Sequence, residues 1–237
     1  MAIHTDVAYL LHRRAHGDTS LLVEIFSLDH GRFPAIARGA RAARRGAPLQ
    51  SFLPLRIEWS GRGEVKTLRR FEISAESGSQ AIDLAGERLY CGFYLNELLM
   101  RLLPREDPHP WLFGFYQQTL AALAGGGELE VALRRFELAL LEQLGHAPDL
   151  RADLDGKALD PSGCYCFGTD GARRCDAATP GAVQGATLLA LARGELPDAD
   201  ARREAKRLLR RLIGYHLDGR PLKSRELFAG VAKPVRR

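Results

Sequence analysis

Cysteine is scarce in this chain, with four residues in 237, and methionine and tryptophan are scarcer still at two each. So low a cysteine count excludes a disulfide-dense scaffold. No stretch approaches the roughly 18 uninterrupted apolar residues that a membrane span needs, so no membrane partner is expected. The opening residues, MAIHTDVAYLLHRR, lack a cationic start followed by an apolar run and a small-residue cleavage site. No signal peptide is therefore expected, and a cytoplasmic location is the default. Catalytic signatures are missing too. There is no Gly-x-Ser-x-Gly elbow, no phosphate loop ending in Gly-Lys-Ser/Thr, and no His-Glu-x-x-His. His12 and His16 are four apart, but they fall on a strand end and a turn, so helical ligand geometry is not available.

What is present begins with charge. The net charge of +5 is mild, but it is unevenly spread. Residues 1–80 hold 12 Lys/Arg against 8 Asp/Glu, residues 81–200 hold 10 against 18, and residues 201–237 hold 12 against 3. Two basic ends flank an acidic middle, a distribution suited to faces that meet a polyanion.

The first 75 residues read as β structure. VAYLLHR (7–13), SLLVEIFS (20–27), GRFPAIAR (31–38), LRIEWS (55–60) and VKTLRRFEI (65–73) are short runs separated by turn signals at His16-Gly17-Asp18, Asp29-His30-Gly31 and Ser60-Gly61-Arg62-Gly63. Five strands in a small, glycine-punctuated unit fit an open Greek-key barrel of the oligonucleotide-binding (OB) kind, or another small barrel. Near residue 80 the period changes to that of helices. Helices are expected over 86–103, 109–124 and 128–145, packed as a bundle, with further helical signals at 183–194 and 198–217. The expected fold is α+β and multidomain: a barrel domain over 1–78 and a helical domain over 79–237. Within the latter, 146–185 is an irregular cysteine-bearing segment, degenerate and zinc-ribbon-like.

That segment contains Cys164, Cys166 and Cys175, while Cys91 sits in an apolar stretch and reads as a buried small hydrophobe. Three clustered thiols in a cytoplasmic chain point to metal rather than disulfide. A structural zinc site takes four ligands from closely spaced pairs. Here the fourth would have to be Asp170, Asp176 or the distant His146, so a zinc site and an unmetallated loop both stay open.

Basic residues collect in three places. RGARAARRG (38–46) puts Arg38, Arg41, Arg44 and Arg45 in a loop with nothing large to bury. Arg62, Lys66, Arg69 and Arg70 surround the following hairpin. Arg207, Arg210 and Arg211 lie on an amphipathic helix whose other face is Ala and Leu. A basic loop on a small barrel suits tracking of a nucleic-acid backbone: arginines neutralise phosphates while aromatics stack on bases. Tyr9, Phe26, Phe33, Trp59 and Phe71 are the available aromatics, and strand alternation must send several of them inward.

Taken together, GDTSLLVEIFSLDHGRF (17–33), RGARAARRG leading to LQSFLPLRI (49–57), GRGEVKTLRRFE (61–72), LYCGFYLNELLMRLL (89–103), ALRRFELALLEQLGHAPDL (132–150) and GRPLKSRELF (219–228) resemble the bacterial RecO family of recombination-mediator DNA repair proteins. The resemblance implies an N-terminal OB barrel, a helical domain and, in some members, a zinc-bearing insertion with two Cys-x2-Cys pairs, a pattern this sequence departs from. It implies a non-enzymatic activity: binding single- and double-stranded DNA, annealing complementary strands, and loading the RecA recombinase, with the partner RecR, onto DNA coated by the single-stranded-DNA-binding protein (SSB). Work on the nucleoid follows. The acidic, apolar C-terminal tail of SSB would meet the helical domain, with Arg134 and Arg135 as candidates here. The alternative from another class is a zinc-containing nucleic-acid-processing enzyme such as a nuclease.

Overall fold

The computed structural model describes residues 2–41, 49–74, 82–168, 171–217 and 219–231, the side chains of 228–231 excepted. Arg44, Arg45 and Asp170 lie outside the described residues. Two compact units emerge: residues 1–126 with 222–237, and residues 127–221.

In the first unit five strands close a barrel in the order β1-β2-β3-β5-β4. They are β1 (Ile3–His16), β2 (Ser20–Ser27), β3 (Gly31–Ala37), β4 (Pro54–Ser60) and β5 (Lys66–Ile73). β3 and β5 pair in parallel and all other neighbours are antiparallel, which is OB-fold topology. The interior is filled by alternate residues, among them Leu10, Val23, Ile25, Phe33, Leu55, Ile57, Trp59 and Leu68, each at most 5% exposed. Two irregularities in register re-aim side chains. One falls between Leu10 and His12 on β1, and the other places Arg69 between the residues paired with Glu58 and Trp59.

The barrel's outer wall is covered on one side by α1 (Glu87–Leu102) and α2 (Pro110–Ala124). The physical reason is aromatic. Tyr9 and Phe26, on paired strands, meet Phe113 and Tyr116 of α2 at ring-centroid distances of 5.1–6.2 Å. Each such pair contributes about 0.5–1.5 kcal/mol beyond its buried area. The bulged Leu11 carbonyl accepts from the Asn96 amide at 2.9 Å, and Asn96 in turn accepts from the Tyr116 hydroxyl. The connection between the helices is laced to the barrel by the Glu106 N–H donating to the Arg32 carbonyl and by Arg32 donating to the Leu103 carbonyl. Gly31 is obligatory here, because a Cβ on it would sit 2.1 Å from the Asp107 carbonyl oxygen.

One further helix, α6 (Ser224–Val231), completes this unit, although it follows the second unit in sequence. Both carboxylate oxygens of Glu97 on α1 hold its first turn. They accept from the Lys223 N–H at 2.9 Å, the Ser224 N–H at 2.8 Å and the Ser224 hydroxyl at 2.6 Å. This accounts physically for the PLKSRELF stretch, in which no helix was expected.

The second unit contains α3 (Leu129–Gln143), a small sheet of β6 (Cys164–Phe167), β7 (Ala172–Cys175) and β8 (Val183–Gln184), then α4 (Gly185–Ala192) and α5 (Ala199–Tyr215). α3 packs on α5. Lys206 and Arg202 of α5 reach Glu130 and Glu128 at the start of α3, at 3.0 and 2.9 Å. Asp198 caps α5 by accepting from the Ala201 N–H at 2.8 Å. The cysteine segment thus holds a three-stranded sheet where irregular structure is expected from sequence. Its strands are two to four residues long, too short for periodicity to register.

Candidate nucleic-acid interface

The basic loop leaves the barrel at the end of β3, where Arg38 is exposed and Gly39 turns the chain at φ 68°. Arg41 then folds back onto the β1–β2 turn. Its N–H donates to the Thr19 carbonyl at 2.9 Å, and its guanidinium donates to the Gly17 carbonyl at 3.2 Å. The turn at 38–41 is therefore tied to the tip of the first hairpin. Beyond its register shift, β1 exposes five residues in succession, His12, Arg13, Arg14, Ala15 and His16. The two basic runs share one end of the barrel. The run HRRAH is the signal that sequence reading passed over, because it reads as part of a strand.

β5 carries the second group. Arg69 and Arg70 are both exposed, an arrangement that alternation forbids and the irregularity at Arg69 permits. Arg69 donates to the Ser60 hydroxyl at 2.7 Å, and Arg70 pairs with Glu72 at 3.2 Å. Arg62 is exposed in the β4–β5 turn. Lys66 differs. It is 5% exposed, pairs with Glu106 at 2.7 Å and lies 5.8 Å over the Trp59 ring. As the first residue of β5 it points inward, and its charge is already neutralised.

In the second unit Arg207 and Arg210 are exposed on α5, opposite the buried Ala205, Leu208, Leu209 and Leu212. Arg211 is half-buried and lies against Gly181. Arg135 is exposed, but Arg134 is 3% exposed and pairs with the fully buried Glu137 one turn on. Arg134 is thus a core residue of α3, not a surface contact. Its neighbour Leu133 shares the buried stripe.

Of the aromatics, Tyr9, Phe26, Phe33 and Trp59 are 5% exposed or less, and only Phe71 is half-buried, against the barrel core. Burial pushes the Tyr9 hydroxyl up to about 12. None of these five rings is fully exposed.

The three clustered cysteines share one face of the β6–β7 hairpin. Cys164 is directly opposite Cys175, and Cys166, two residues along, is opposite Arg173. Burial pushes the Cys175 thiol up to about 11, with the neighbouring Cys166 and Cys164 sulfurs adding to it and Thr179 opposing. Among the described residues no group of three or more His, Cys, Asp or Glu is placed to hold a metal ion. Cys164 and Cys175 are cross-strand partners and Cys166 is hydrogen-bonded to Cys175, while structural zinc takes four converging donors. Asp176 instead closes a turn, accepting from the Ala178 N–H at 2.8 Å. Among the described residues no helix is long and apolar enough to cross a membrane.

Comparison with known proteins supplies the lineage. Residues 1–76 match the family described as Recombination protein O N terminal, and residues 84–226 match Recombination protein O C terminal. A DNA repair protein RecO from Methylococcus capsulatus is 50% identical over 226 residues, covering 94% of this chain and 92% of that one. The DNA repair proteins RecO of Pseudomonas aeruginosa PAO1 and Dechloromonas aromatica are each 44% identical, with 94% and 95% of both chains covered. With both parts matched in order on an OB barrel followed by helices, the chain belongs to the RecO family of DNA repair proteins.

Proposed function

We propose that this protein binds single- and double-stranded DNA without an enzymatic step, anneals complementary strands, and with RecR helps load RecA onto SSB-coated DNA. One observation carries the DNA-binding core of this reading. The Arg41 hydrogen bonds to the β1–β2 turn join the 38–41 arginines to the exposed basic run of β1, making one cationic end on the barrel. Annealing two polyanions requires screening their repulsion while leaving base edges free, and phosphate-directed arginines do that without reading sequence. Arg207 and Arg210 on α5 are a second phosphate-facing set. For the acidic SSB tail, Arg135 is the exposed candidate, since Arg134 is committed to Glu137. Such work belongs to the nucleoid and the cytoplasm around it.

The test is annealing of labelled complementary strands in chelator, without divalent metal or nucleotide, beside a salt titration of single-strand binding. Annealing that persists, with affinity falling steeply in salt, is the expected result. Activity lost with metal removal, together with strand cleavage when metal is restored, would point to the nuclease alternative.

A further inference from the structure

We infer that Cys164 and Cys175 form a reversible disulfide under mild two-electron oxidation, making the β6–β7 hairpin a redox-modifiable element. The Cys164–Cys175 pair has the Cα spacing a disulfide requires. Residues directly opposite in an antiparallel ladder have Cα atoms about 4.5–5.5 Å apart. That lies inside the window of about 4.4–6.8 Å that a disulfide spans. Cys164 and Cys175 occupy such a pair, and both are half-buried, so a small oxidant reaches them. Cys91 is 1% exposed on α1 in the other unit and is shielded. The pair also closes the open end of the hairpin. β6 begins at Cys164 and β7 ends at Cys175, so a bond there ties together two strands of four residues each. So short a hairpin is marginal by itself.

With hydrogen peroxide as oxidant the chemistry balances. The Cys164 sulfur attacks one peroxide oxygen and breaks the O–O bond, giving a sulfenic acid and one water. The Cys175 sulfur then displaces that hydroxyl, forming the S–S bond and releasing a second water. Both thiol protons leave in the waters, two sulfurs are oxidised, and a thiol reductant reverses the reaction. Cys166 shares the face, lies opposite Arg173 in the ladder and is hydrogen-bonded to the Cys175 thiol, so it is the internal competitor that any experiment must distinguish.

The experiment treats the purified full chain with a small excess of hydrogen peroxide, blocks free thiols with an alkylating reagent, and maps linked peptides by mass spectrometry. Free thiols counted after denaturation should fall from four to two, with one link between Cys164 and Cys175 that dithiothreitol removes. Cys164→Ser should abolish the link, and Cys166→Ser should leave it in place. Because the wild-type map already carries the result, a variant that fails to fold does not decide the matter. Four free thiols after oxidation, a link through Cys166 or Cys91, or stoichiometric zinc protecting the three thiols would each overturn the inference.

Discussion

Glu97→Gln should loosen α6 from α1, and the structure allows the size to be worked out. The Glu97 carboxylate takes three hydrogen bonds from the first turn of α6, with Arg101 a further 3.8 Å away. Burial alone would raise this carboxyl, but the bonds from Ser224 and Lys223, with the Arg101 charge, hold it below its usual range. A hydrogen bond to a charged group contributes about 1.5–3 kcal/mol. Glutamine keeps one acceptor oxygen but turns an NH2 toward the donors, so at least one bond and the charge are lost. The expected cost is about 2–4 kcal/mol. In a chain of this size that corresponds to roughly 4–16 °C in melting temperature. Hydrogen exchange should rise in α6 first. The pH dependence has a definite sign. A lowered folded pKa contributes stability that is present above the unfolded value of about 4.3 and is lost as pH falls through the folded one. Protection of α6 should therefore decline as pH falls below about 4.3 in the native chain and not in the variant. An unchanged melting temperature with unchanged α6 exchange would refute the capping role.

Three more outcomes follow from the same geometry. Replacing Arg38 and Arg41 by Ala together should lower the slope of log affinity against log salt on single strands by about 0.7 per lost phosphate contact; an unchanged slope in fluorescence anisotropy would remove both from the interface. Arg134→Ala should destabilise by about 3–5 kcal/mol in urea, because it breaks a buried ion pair by removing one partner, while Arg135→Ala should cost less than about 0.5 kcal/mol; equal costs would contradict their different burial. A fragment ending at residue 78 leaves Tyr9 and Phe26 without Phe113 and Tyr116, so it should melt without a cooperative transition; a sharp melt would show that the barrel needs neither helix.

Much of this was legible in sequence because local signals sufficed. The glycine turns mark the five strands to within a few residues, and apolar spacing marks α1, α2, α3 and α5. What escaped depends on tertiary packing. Lys66 and Arg134 read as surface cations, since nothing local reveals that Glu106 waits beyond α1 or that an Arg–Glu pair three apart faces inward. The exposure of both Arg69 and Arg70 depends on a register irregularity, and irregularities have no composition of their own. α6 is eight residues long and gains its first turn from Glu97, more than a hundred positions earlier, so its own sequence carries little of its stability. The cysteines gave their spacing but not their pairing, which only the ladder of β6 and β7 defines.

Because α6 belongs with the N-terminal barrel, the first unit is discontinuous, and all of residues 127–221 intervene before it can be completed. On a ribosome adding about 5–20 residues per second, the Glu97 carboxylate waits roughly 6–25 s for the backbone N–H groups that will hydrogen-bond it. The second unit is continuous and can fold as it emerges. The first cannot complete the Glu97 contacts of α1 until Lys223 and Ser224 have been made.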